Sequence, residues 1–141
     1  MKSVIICFIV LTTLISNFAS SQNTCTVGDN NRVTNFNAQF SFTHSCIWDY
    51  DIRQSSHTVE SSSTIIIKTN EYGFGKLILY FAKKNIFNVE DCTAINGGYK
   101  LTLSNDNGAK FDAYIEEKSA KTKAFRIDNP NNTATVFYNV Y

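Results

Sequence analysis

Two histidines, His44 and His57, stand near Arg53 and Glu60, and that set could do acid–base chemistry on a phosphate or an ester. One histidine would take a proton, the other histidine or Glu60 would return it, and Arg53 would hold a developing anion. The chain has no third histidine to draw on. His44 falls on the apolar face of a period-two segment, where a histidine satisfied by a backbone group needs no catalytic explanation. His57 lies in the polar run Ser55-Ser56-His57-Thr58-Val59-Glu60, where exposure is ordinary. No Gly-x-Ser-x-Gly elbow is present, and the cysteines suit disulfides better than nucleophilic catalysis. The chain therefore reads as a non-enzyme, with a small secreted hydrolase or nuclease using His44 and His57 as the catalytic alternative.

Metal chemistry finds little support. Zinc needs His and Cys clustered at short spacing, which this sequence does not offer. Asn105-Asp106-Asn107-Gly108 begins like a calcium loop, but aligning Gly108 to the required glycine puts Leu103 first and Tyr114 last. Neither side chain ligates calcium. Asn30-Asn31-Arg32-Val33-Thr34 and Asn131-Asn132-Thr133-Ala134-Thr135 resemble the calcium clamp of βγ-crystallins, yet Asn35 and Val136 stand where that motif closes with serine. No metal or cofactor is expected.

The N-terminus has the parts of a secretory signal. Lys2 is followed by an uncharged apolar stretch over residues 4–15, and Ala19-Ser20-Ser21 supplies the small residues that signal peptidase reads. A stretch of roughly 12 residues is too short to span a bilayer, which takes roughly 20 as a helix. We place a signal peptide at residues 1–21, cut before Gln22, and a single secreted β-rich domain at residues 22–141. No second apolar run reaches spanning length, so the mature form is expected to carry no membrane span.

Lys2 leaves with the signal, so 12 of the 13 Lys and Arg residues remain against 12 Asp and Glu. A balanced charge gives no general attraction to nucleic acid or anionic lipid. Lys118, Lys121, Lys123 and Arg126 do cluster, but Glu116 and Glu117 sit beside them, as in an ordinary solvated turn.

Cys7 also leaves with the signal, and Cys25, Cys46 and Cys92 remain. An oxidising compartment should pair two of the three. Cys46 lies in a strong strand pattern and Cys92 follows a short apolar cluster, which favours Cys46–Cys92. Cys25 would then be left over near the N-terminus for an intermolecular bridge and a disulfide-linked dimer. The alternative pairs Cys25 with Cys92 and leaves Cys46 as a buried thiol.

These residues need elements to hold them, and the sequence supplies strands. From Phe36 the even positions read Phe36, Ala38, Phe40, Phe42, His44, Cys46, Trp48, Tyr50 and Ile52, with polar residues at most positions between them. Period two means β structure with one buried face. The run is too long for one straight strand, so it must bend between two sheets or break at a loop near His44. The bend is preferred, because no Gly or Pro interrupts it. Residues 64–68 and 76–81 read as further strands, and residues 55–63 as a serine-rich connector or edge strand. Residues 83–95 show no clean period and are the one place where a short helix is expected. Strands then follow at 99–103, 109–116, 122–127 and 133–141, separated by Asn105-Asp106-Asn107-Gly108 and Asp128-Asn129-Pro130-Asn131. About seven or eight strands at this spacing make an all-β fold, a β-sandwich or a small antiparallel β-barrel.

The aromatic residues are the remaining signal, either as plain core or as the lining of a binding surface. Asn35-Phe36-Asn37, followed by Trp48 and Tyr50-Asp51-Ile52, resembles the lipocalin opening signature between Asn35 and Ile52. That resemblance implies a barrel around a small apolar ligand. The gap to the tryptophan is longer here, Cys46 replaces the glycine two places before it, and the domain is short for that family. No membership follows.

The whole reads as a secreted, extracellular domain that acts by binding, in an effector or defence-related role. Its expected partner is an extracellular protein. The alternative is a small apolar ligand held in a barrel cavity by Phe40, Phe42, His44, Trp48 and Tyr50. One N-glycan acceptor stands at Asn131, in Asn131-Asn132-Thr133. Expressed through a eukaryotic secretory route, the exported chain should begin at Gln22 by N-terminal sequencing. It should also lose one glycan's mass in Asn131→Gln; an unprocessed N-terminus at Met1 would contradict the signal assignment.

Overall fold

A computed structural model describes residues 5–9, 23–56, 58–117 and 123–140. Among them there is no α-helix; a single 3-10 turn, Asp29–Asn31, interrupts an otherwise all-β chain. The strands are β1 (Ile5–Ile9), β2 (Asn23–Val27), β3 (Val33–Asp49), β4 (Gln54–Ser55), β5 (Val59–Thr69) and β6 (Gly75–Phe81). They continue as β7 (Lys83–Ile95), β8 (Gly98–Ser104), β9 (Lys110–Glu117), β10 (Lys123–Asp128) and β11 (Thr133–Tyr138).

Eight of these strands close on themselves. The order runs β3-β11-β10-β9-β8-β7-β6-β5, and β5 pairs back onto β3 from Asn37↔Lys68 to Ser45↔Val59. Every neighbour is antiparallel, and from β5 to β11 each strand pairs with the next in sequence. The expected all-β fold is therefore a barrel, not a sandwich. Such closure leaves no unpaired edge among the barrel strands, which removes the usual risk of edge-to-edge association.

The 17-residue β3 makes closure possible. Its first part pairs with β2, its middle with β5, and its last part with β11 and β4. The expected bend is thus realised as one continuous strand wrapped around the barrel, with no loop near His44. β2 extends the sheet beyond β3, and β1 pairs outside β2 from Ile5↔Val27 to Ile9↔Asn23. Of the expected signal segment only Ile5–Ile9 are described; its other residues and the cut before Gln22 lie outside the described residues. β1 takes no part in closing the barrel.

Two turns use the same local device. Asn70 and Asn105 each accept, on Oδ1, the backbone N–H groups two and four residues ahead, at Tyr72 and Phe74 and at Asn107 and Ala109. Gly73 and Gly108 stand three residues on, with φ of 87° and 80°. The segment that begins like a calcium loop is thus a hairpin turn whose asparagine oxygen is committed to its own backbone.

The interior is filled by inward rows from all eight strands. Phe36, Ile65, Ile67, Leu77, Leu101, Ile115, Phe125 and Phe137 are each at most 1% exposed. Phe81 packs edge-on to Phe137 with ring centres 5.0 Å apart, and Phe36 lies 5.1 Å from Tyr99. An eight-stranded barrel is about wide enough for side chains to fill, and here they do so.

The helix expected over residues 83–95 is instead the 13-residue strand β7. Its pairing with β8 shifts register between Val89 and Asp91. The core-packed residues accordingly change from Phe87 and Val89 to Cys92 and Ala94, from odd to even numbers. That phase change erased the period in the sequence. A like shift, on the β3–β5 ladder between Phe42 and His44, decides which side chains of the end of β3 face outward.

Gly75 marks a close approach of β6 to β5, since a Cβ there would lie 1.9 Å from the Lys68 carbonyl oxygen. Gly28 has nothing nearer than 3.9 Å. Urea unfolding should show Gly75→Ala destabilised by about 1–3 kcal/mol, with Gly28→Ala much less affected; equal losses would contradict the close approach.

Candidate functional site

The pattern from Phe36 to Ile52 predicted one shared face for Phe40, Phe42, His44, Trp48 and Tyr50, and the structure corrects this. Phe36, Ala38, Phe40 and Phe42 point into the core. Beyond the register shift the inward residue is Ser45, which is 6% exposed and pairs with the buried Phe137. Even-numbered residues there face outward: His44 pairs with Tyr138, Cys46 with Val136 and Trp48 with Ala134. Phe40 and Phe42 are core residues, on the side of the barrel wall opposite to Trp48. Shifts of this kind leave no mark in the hydrophobic pattern, because Cys46 and Trp48 are as apolar as the core residues they continue.

What the shift builds instead is a groove of about 400 Å3 on the outer wall. Cys46, Trp48 and Tyr138 come from β3 and β11, Arg126 and Glu116 from β10 and β9, and Ser55 and Thr58 close the far side. His44 stacks on Tyr138 with ring centres 5.7 Å apart, and its Nδ1 lies 2.7 Å from Thr43 Oγ1. The Thr58 and Tyr138 hydroxyls share a 2.6 Å hydrogen bond.

Arg126 is the electrostatic centre of this wall. Its guanidinium lies 4.1 Å from the centre of the Tyr114 ring, which is its register partner across β9 and β10. One nitrogen donates to Glu116 Oε1 at 3.0 Å, and Nε faces Asp128 Oδ1 at 3.5 Å. Tyr50 donates to the same Asp128 oxygen at 2.7 Å. Burial first, and then this bond to a carboxylate, push the Tyr50 phenol up to about 12. In the sequence Glu116 and Arg126 read as parts of a charged turn, Tyr114 as one step of an alternating strand, and Tyr138 as one aromatic among several spread along the chain. Their alternation along β9 to β11 was visible, but not which strand would lie beside Trp48.

The catalytic alternative is only partly assembled. His44 and Glu60 are cross-strand partners on β3 and β5. Arg53 lies exposed in the turn before β4. His57, Lys118 and Lys121 lie outside the described residues.

The cysteines also depart from expectation. Cys46 faces the outer groove, whereas Cys92 is 1% exposed in the core, so the favoured Cys46–Cys92 pair is not brought together. Cys25 is buried too, with Sγ 3.6 Å from the Tyr99 hydroxyl, and is not presented for a bridge to a second copy. Burial first, then the nearby Cys25 and Asp91, push the Cys92 thiol up to about 12. Cys46 is raised by burial alone. Asn131 is exposed at the turn before β11, and its side-chain oxygen accepts from the Thr133 hydroxyl at 2.6 Å.

Iodoacetamide applied to the reduced, folded protein at pH 8 should modify Cys46 before Cys92, read by peptide mass mapping; Cys92 reacting first would contradict its burial. Tyr50 favours its neutral form in the folded state, so its contribution is present below pH 10 and is lost as pH rises from 10 towards about 12. Tyr50→Phe should therefore weaken the alkaline fall in stability relative to the parent chain. No family model, curated protein or solved structure gives a significant match to this chain.

Proposed function

We propose that this protein works outside the cell as a non-enzymatic binding module, using the outer groove as its contact surface for a protein partner. The observation that carries this reading is the meeting of Trp48, Tyr138, Tyr114 and Arg126 on the solvent side of a barrel whose core is already filled. Trp, Tyr and Arg are the residues that anchor protein interfaces most often. Arg126 is held by Tyr114, Glu116 and Asp128 before any partner arrives, so little side-chain freedom is lost on contact. The groove holds one cation, Arg126, already paired with its one carboxylate, Glu116, which suits an apolar or aromatic side chain on the partner better than a charged one.

Export fits the same reading through the signal features at residues 1–21 and the exposed acceptor Asn131. In that setting Asn131 carries a glycan on the turn beside β11.

The test uses a photoreactive benzoylphenylalanine placed at Thr58, on the groove wall, with Lys76 on β6 as a control position. Added to the culture medium and surface of cells from the source organism, the Thr58 form should yield a discrete protein adduct on irradiation. Trp48→Ala should remove that adduct. Equal adducts at both positions, or an adduct indifferent to Trp48→Ala, would reject the groove as the contact surface.

A further inference from the structure

The register shift that turns Trp48 outward also turns Ser45 and Ile47 inward, and these two residues open a second feature. At the end of the barrel where β3 finishes and β5 begins lies a pocket of about 430 Å3. Ser45, Ile47, Ser56, Val59, Phe81 and Thr135 line it, with Cys46 at its border. Ile47 and Val59 remain 41% and 49% exposed although they sit on inward rows. That end of the barrel is an apolar opening, in contrast to the filled core below.

Hydroxyls continue beneath the opening. Ser45 Oγ lies 3.0 Å from Ser61 Oγ. One step deeper on the inward row of β5 stands Ser63, opposite Phe42. It is 3% exposed, and its Oγ has no hydrogen-bond partner among the described residues. A buried hydroxyl left unpaired is unfavourable, and natural structures rarely keep one without a use.

We infer that this mouth binds a small neutral molecule with an apolar body and a single hydrogen-bonding head. Ile47, Val59 and Phe81 take the body, and the head enters at Ser45 on the pocket wall, with Ser61 and the unpaired Ser63 behind it as the hydroxyls it reaches. No formally charged side chain lines the pocket, so an ionised ligand would lose its hydration without compensation. Cys46 borders both this mouth and the outer groove, but Ser45, Ile47, Val59 and Phe81 line the mouth alone, and Trp48, Arg126 and Tyr138 line the groove alone.

The experiment titrates the chain with N-phenyl-1-naphthylamine, a neutral fluorophore with one N–H, and with the anionic 8-anilinonaphthalene-1-sulfonate. The neutral probe should bind saturably, be displaced by 1-decanol, and bind about tenfold or more tightly than the anion. Val59→Lys, a substitution at an exposed rim position, should abolish binding. Ser63→Ala should weaken it about threefold to tenfold while leaving the thermal midpoint unchanged or raised. A flat titration overturns the proposal, as does anion binding equal to the neutral probe. Binding that survives both mouth variants overturns it as well, and loss of binding in Trp48→Phe would place the probe in the outer groove instead. Loss in Val59→Lys with full binding in Ser63→Ala overturns the assignment of the head group.

Discussion

The ladder between β3 and β5 is the constraint on which the rest of the molecule depends. The chain between β5 and β11 is a simple meander, and a meander alone would end in two open edges. Pairing Asn37 through Ser45 with the residues from Val59 to Lys68 joins those edges through β3. Because β3 must also receive β11, β2 and β4, it has to be the longest strand and must curve around the barrel. Length, curvature and closure are therefore one requirement rather than three.

A curved strand with several partners cannot keep a perfect two-residue rhythm along its whole length. The register shift between Phe42 and His44 is where β3 gives way. Before it, Phe36, Phe40 and Phe42 fill the core; after it, Ser45 and Ile47 take the inside and Cys46 and Trp48 the outside. One irregularity thus produces both the outer groove and the open mouth. Bulges and shifts are common where a barrel re-aims side chains towards function.

The outer wall shows how such a surface is kept ordered. Arg126 is fixed from three sides, by a ring, a carboxylate on β9 and a carboxylate at the end of its own strand. Tyr50 ties the end of β3 to the same carboxylate, and Tyr138 joins His44 to Thr58. These contacts are partly solvated, and their value lies in orientation more than in stability. The mouth follows the opposite principle, with apolar side chains left open above unpaired hydroxyl capacity.

The sequence by itself determined the elements that depend on neighbours along the chain. Alternation placed strands wherever the rhythm ran unbroken, and asparagine–glycine turns declared themselves because their chemistry is complete within five residues. Charge balance and the N-terminal signal features likewise need no third dimension to be read. The tertiary structure alone decided barrel over sandwich, because closure is a pairing between residues far apart in sequence. It also decided the phase of Trp48 and Cys46 and made a strand of residues 83–95. In both cases a shift in cross-strand register changes which side chains face inward, and a single chain cannot display that without its partner strand beside it.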